Sequence, residues 1–282
     1  RAGVDTFRDL PRLSSSFTMN STDTQTGSAT FRIRGVGTTG NNIGLEQSVG
    51  VFLDGVYISR PGIALSDMMD VQQIEVLRGP QGTLFGRNTS AGAVSIQSKK
   101  ASVTESEGFA VLGAGNYNGT SLQAGYTFPL IQDKLGFRIN GSIRKRDGWL
   151  EAPQRSSVGY TDGYEVDRTG LRGQIQWEIN DNSSLREIAD YHTSDEACCG
   201  SVILGETPFA AFFPAAGLPV DGGNSNGNGD IDDLRSAAGD LGAEIDQWGI
   251  SAEYNWEGEL GSFTYIGSYR SFETDVQRSD FV

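Results

Sequence analysis

The sequence predicts a mainly β protein in two parts: a globular mixed α/β domain over residues 1–100, then, over 101–282, an incomplete antiparallel transmembrane β-barrel. Three observations predict it. Glycine makes up 38 of 282 residues, about twice the usual ~7% share, with no Gly-X-Y period; that density suits tight turns and closely packed backbone. Apolar segments before about residue 100 are short, below the ~9–11 residues a membrane strand needs. From Glu107 the segments lengthen and alternate strictly between apolar and polar residues.

The short segments of the first part are Phe31–Ile33, Val49–Leu53, Gln73–Leu77 and Ala93–Ile96, each punctuated by glycine. In the second part Leu135, Phe137, Ile139, Gly141 and Ile143 share one face, while Arg138, Asn140, Ser142, Arg144 and Arg146 take the other. Leu171, Gly173, Ile175, Trp177 and Ile179 likewise oppose Arg172, Gln174, Gln176 and Glu178. Leu122 to Phe128, Trp248 to Trp256 and Phe263 to Tyr269 follow the same rule, and segments near 108–116 and 184–193 follow it less cleanly, which makes seven candidate strands. The connections Ile131 to Lys134, Asn180 to Ser183 and Glu257 to Leu260 are short; of those between them, 116–119 is short and 148–165 and about 195–245 are long. Short periplasmic turns and longer extracellular loops have that arrangement. A secreted or surface β-sandwich that binds glycans or acts as an adhesin, without transport, also produces alternating strands and stays open as an alternative. The arginines on the wet face suit a lumen.

Composition removes other classes. The chain holds 36 acidic and 22 basic side chains, a net charge of −14, against the basic surface that nucleic acid requires. No run approaches the ~18–20 apolar residues of a spanning helix, which says nothing against strands. The start, Arg1-Ala2-Gly3-Val4, has neither initiator Met nor apolar leader and reads as a fragment. His192, the single histidine, has no acid or nucleophile beside it; no catalytic constellation appears, so no enzyme and no cofactor are expected.

Three segments carry a resemblance: FRIRGVG at 31–37, SVGVFLDGVYISR at 48–60, and QQIEVLRGPQGTLFGRNTSAGAVSIQSKK at 72–100. The chain resembles the TonB-dependent outer-membrane receptors, with residues 1–100 as plug and the remainder as the first strands of a barrel that has 22 strands in the family. Ala91 and Ser95 stand where the family often has Gly and Asn, and no TonB box is evident in residues 1–10. The resemblance implies the outer membrane of a Gram-negative bacterium and active uptake of a scarce nutrient. It also implies a TonB-type inner-membrane partner and an extracellular ligand among ferric siderophore, haem, cobalamin and oligosaccharide, with siderophores favoured by family frequency.

Site residues follow from both sources. Gly35, Gly55, Gly79, Gly82, Gly86 and Gly92 lie at segment ends where a turn needs positive φ or a close backbone approach. Arg34 and Arg78 precede glycines at the ends of apolar segments and are expected semi-buried with carboxylate or carbonyl partners. The resemblance makes them a plug–barrel lock facing wall glutamates that are expected beyond Val282; pairing inside the plug, with Glu75 or Asp54, is the alternative. Family architecture turns loops containing Gln25, Asn41, Asn42, Glu46 and Arg60 outward toward ligand. The long loop adds Phe212 and Phe213, as aromatics for a ligand or for the loop's own packing. Asn224, Asn226, Asn228, Asp230 and Asp232 imitate the start of a calcium loop, but Arg235 stands where the twelfth-position Glu belongs, so a metal is not expected. Cys198 and Cys199 are adjacent, a strained pairing if bonded.

Overall fold

The computed structural model describes residues 10–21, 29–38, 46–59, 69–151, 162–197 and 241–278. The first part opens with a single-turn helix, α1 (Leu10–Leu13), and a hairpin of β1 (Phe17–Ser21) and β2 (Ala29–Ile33). It continues through β3 (Val49–Leu53), β4 (Val56–Ile58), β5 (Val71–Arg78), α2 (Gly82–Phe85) and β6 (Gly92–Ser98). The last four strands form a sheet ordered β4-β3-β6-β5, in which only β3 and β6 run parallel. Leu10, Phe17, Phe31, Ile33, Val49, Val51, Val94 and Ile96 form its core, with Phe17 stacked on Phe31 at 5.5 Å. The short β-branched runs predicted as segments are the strands that supply this core.

The second part comprises β7 (Glu107–Ala114), β8 (Thr120–Ile131), β9 (Leu135–Arg146), the two-residue pair β10 (Leu150–Glu151) and β11 (Asp162–Gly163), then β12 (Val166–Asn180), β13 (Ser183–Ala197), β14 (Leu241–Gly258) and β15 (Gly261–Arg278). Seven of them make one sheet, ordered β15-β14-β13-β12-β9-β8-β7, in which every neighbour is antiparallel. The ladders run beyond the expected segments: β13 continues to Ala197 and β14 begins at Leu241, so the connection expected at about 195–245 contains strand at both ends.

Burial in this sheet is inverted relative to a soluble protein. Arg138 and Gln174 are each 1% exposed, whereas Trp177 is 45% and Ile250 53% exposed. Polar side chains face the first part, and the apolar face is turned away. A β-sandwich buries its apolar face, so the sandwich alternative fails on this orientation. The arrangement is that of a barrel wall, apolar toward lipid and polar toward its contents.

On the outward face the apolar residues end at a ledge of charge, Asp167, Asp195, Glu244, Asp246, Glu273 and Asp275, on one side and at the short turns on the other. On β14 the interval holds Trp248, Ile250, Ala252, Tyr254 and Trp256. Tilted ~35–45°, these five outward positions cover about 20 Å of depth, most of the ~25 Å apolar band of a barrel.

Candidate functional site

The polar face of the wall meets the first part at two buried ion pairs, both built from turn aspartates. β3 and β4 pair Leu53 with Val56, leaving Asp54 and Gly55 as the turn, at φ +50° and +78°. Positive φ at both central residues is the hairpin geometry that Asp-Gly favours. Gly55 is also fixed by space, because the Ile266 side chain of β15 occupies the place of a Cβ. The turn aims the Asp54 carboxylate at the end of β6: it accepts from the Ser98 amide at 2.9 Å and the Ser98 hydroxyl at 2.8 Å. It then meets Arg186 of β13, whose Nη1 donates at 3.2 Å. Arg186 also donates to Ser98 Oγ at 2.8 Å and to Gln174 Oε1 at 2.7 Å, and Gln174 donates to the Lys99 carbonyl at 3.2 Å. Both charges are 4% exposed.

The second pair lies at the start of β5. Asp70, at φ +54°, accepts both Nε and Nη2 of Arg138 on β9, the latter at 2.7 Å, and a longer bond from Asn140 at 3.3 Å. Its backbone carbonyl takes the Lys99 amide at 2.9 Å. Lys99 in turn holds Glu107 at 2.6 Å, across the link into β7. Close packing completes the contact: a Cβ at Gly170 of β12 would collide with Met69.

Such pairs are asymmetric in energy. Charges removed from water gain little net stability when paired, but loss of one partner costs about 3–5 kcal/mol because the other is left buried. The arrangement clamps the first part while intact and weakens sharply when one partner moves.

The arginines expected to form a lock, Arg34 and Arg78, take no part in these two pairs. Arg34 and Arg78 are exposed, not semi-buried, and neither has an ion pair among the described residues. Glu75 is exposed and accepts from Gln73 at 2.8 Å. Within the wall, Glu196 is paired with Arg168 and Asp190 with Arg270. Asp54, weighed as a partner within the first part, faces the wall instead. Five of the six glycines have positive φ: Gly35, Gly55, Gly79, Gly86 and Gly92. Gly82 does not; it opens α2 with free space around its Cα. Glu46 is exposed, 3.7 Å from Arg87. Gln25, Asn41, Asn42, Arg60, Phe212, Phe213, Cys198, Cys199 and the series Asn224, Asn226, Asn228, Asp230, Asp232 lie outside the described residues.

A plug-like domain clamped to a lipid-facing wall agrees with the comparisons. Residues 1–93 match the family model of the TonB-dependent receptor plug domain. The chain is that of a TonB-dependent receptor. It is 26% identical over 199 residues to the ferripyoverdine receptor of Pseudomonas aeruginosa, covering 71% of this chain and 21% of that protein. It is 28% identical over 138 residues to the ferrioxamine receptor of Yersinia enterocolitica, covering 48% and 18%. In fold it matches the crystal structure of the ferric yersiniabactin uptake receptor of Yersinia pestis with a TM-score of 0.77 at 16% identity, covering 99% of this chain and 40% of that one. The chain thus spans about a fifth of the length of these two sequence relatives. The plug and wall of this TonB-dependent receptor belong to the outer membrane of a Gram-negative bacterium.

Proposed function

We propose that this chain contributes the plug, residues 1–100, and seven wall strands to a receptor that takes up a ferric siderophore, with energy delivered by a TonB-type inner-membrane protein. The observation that carries the reading is the double clamp of Asp54 on Arg186 and Asp70 on Arg138. It holds a folded domain against a polar wall through contacts that fail together when one partner is displaced, as a gate moved by an outside force requires. The outer membrane holds no ATP, so the force comes from a partner. The choice of siderophore rests on relatives named for ferripyoverdine and ferrioxamine.

In this reading ligand meets the outward plug loops, with Gln25, Asn41, Asn42, Glu46 and Arg60, and the aromatics Phe212 and Phe213. Arg34 and Arg78 complete the clamp on wall strands other than β7–β9 and β12–β15. The test is uptake by the full receptor in cells with and without a working TonB system, against radiolabelled ferric siderophores, haem, cobalamin and oligosaccharides. The expected result is binding in both strains and accumulation of a ferric siderophore only in the energised one. Accumulation independent of TonB would overturn the coupling, and accumulation of another class would overturn the ligand.

A further inference from the structure

One buried cation of the plug–wall interface is left over by the two clamps. Arg172 on β12 is 6% exposed, its Nε has no hydrogen-bond partner, and no ion pair reaches it among the described residues. The acid opposite it is engaged: Asp190 faces Arg172 across the β12–β13 ladder, and both of its oxygens accept from Arg270. A guanidinium left unpaired away from water is costly, so an arginine in this place points to a second state in which it is paired.

The plug borders Arg172 on both sides. On β12 the preceding inward position, Gly170, leaves space that Met69 fills, and the following one, Gln174, donates to the Lys99 carbonyl at 3.2 Å. Opposite Arg172 on β9 stands Asn140, about 5 Å away between Cα atoms, and the Asn140 amide donates to Asp70 at 3.3 Å. Met69, Asp70 and Lys99 thus surround the Arg172 position, and the Asp70 carboxylate is within an arginine's reach of it. Arg138, which holds Asp70 in the structure, is one inward position before Asn140 on β9, about 7 Å along the strand.

Arg138 has a substitute partner of its own. Its Nη1 is buried without a hydrogen bond and stands 3.8 Å from Glu107 Oε1. Glu107 is held by Lys99 at 2.6 Å, a pair whose side chains are 49% and 45% exposed, so Lys99 can exchange it for water at little cost. The same charges therefore have two pairings. In the structure Asp70 pairs with Arg138 and Glu107 with Lys99, and Arg172 is alone. In the other, Asp70 pairs with Arg172, Glu107 with Arg138, and the half-exposed Lys99 is solvated. The first pairing holds at rest because Arg138 grips Asp70 through two nitrogens and Asn140 adds a third bond.

We propose that Arg172 is a second station for Asp70: when the plug is displaced, the carboxylate passes from Arg138 to Arg172 while Glu107 closes on Arg138. The exchange rests on the gate proposed above and specifies how it moves. The plug stays tethered at Asp70 while the Asp54 clamp opens.

The test is hydrogen exchange at the amides paired between β5 and β6 in the full receptor, without ligand or TonB, with folding of each variant checked by heat-modifiable gel mobility. Arg138→Met leaves Asp70 its second station and should lower protection less than about tenfold, and Arg172→Met, which removes an unpaired cation, should not lower it. Together they strand Asp70, and protection should fall about a hundredfold or more, a non-additive loss. In an Asp54→Ala background, where the first clamp is open, Arg172→Met alone should lower protection about tenfold. A crystal structure of the Arg138→Met receptor should show Asp70 paired with Arg172. A double variant no worse than Arg138→Met, an Arg172→Met effect independent of Asp54, or Asp70 turned away from Arg172 in that structure would each overturn the proposal. Neither ligand nor TonB enters the measurement, so these outcomes leave TonB-coupled uptake to its own test.

Discussion

At the scale of single residues, the Asp54–Arg186 contact is the clearest object for experiment, because its members come from a turn and a wall strand far apart in sequence. Removing Asp54 alone leaves a guanidinium that is 4% exposed with Glu253, at 4.0 Å, as its remaining acidic neighbour; removing both Asp54 and Arg186 charges and filling the space avoids that stranded cation. Asp54→Ala in the full receptor is therefore expected to loosen the plug by about 3–5 kcal/mol, lowering hydrogen-exchange protection of the β6 amides more than a hundredfold. Asp54→Ala with Arg186→Met should recover most of that protection, a strong non-additivity. Equal, additive losses would show that the pair clamps nothing. Little of this contact was legible in the sequence. Asp54-Gly55 reads as a turn, and the wet-face parity of Arg138 points it inward, but parity does not tell what an inward side chain meets. The segment bearing Arg186 alternates poorly, and the resemblance drew attention to Arg34 and Arg78, with partners expected beyond Val282, and not to Asp54 and Asp70.

At the scale of elements, alternation located all seven strands of the wall and the three short turns. It failed at the outer ends, for a physical reason. Past Tyr191 and Trp248 the outward residues become Asp195, Asp246 and Glu244, so the hydropathy contrast vanishes while the backbone ladder continues unbroken. Sequence patterning reports contact with lipid, not hydrogen bonding. The same point yields a prediction by position. Ile250→Arg, deep in the band, should cost about 2–4 kcal/mol in folding of the receptor into liposomes, and Thr193→Arg, near the ledge, about 0–1. Equal costs at the two positions would mean that this face does not touch hydrocarbon.

For the whole molecule, the membrane position follows from stagger and band together, and tryptophan can report it. Trp248 and Trp256 lie eight residues apart on the outward face of β14, about 27 Å along the strand and about 20 Å in depth once tilt is included. Trp177 is in register with Leu185 and, through it, with Tyr254, two positions from Trp256. The climb of register rows from β12 to β14 brings Trp177 to the level of Trp256 despite that offset. Trp149, by contrast, stacks on Tyr164 at 4.7 Å beside the β10–β11 pair, beyond the ledge. Receptors retaining one tryptophan of this chain at a time, placed in bilayers of lipids brominated at graded depths, should therefore give two coincident profiles for Trp177 and Trp256 near the periplasmic interface. Trp248 should be quenched best near the opposite interface, and Trp149 by none of the chain-brominated lipids. If Trp177 instead lay deeper than Trp256 by the two-residue offset, the strands would stand upright in the bilayer; a common profile for all four would remove the wall from the membrane altogether.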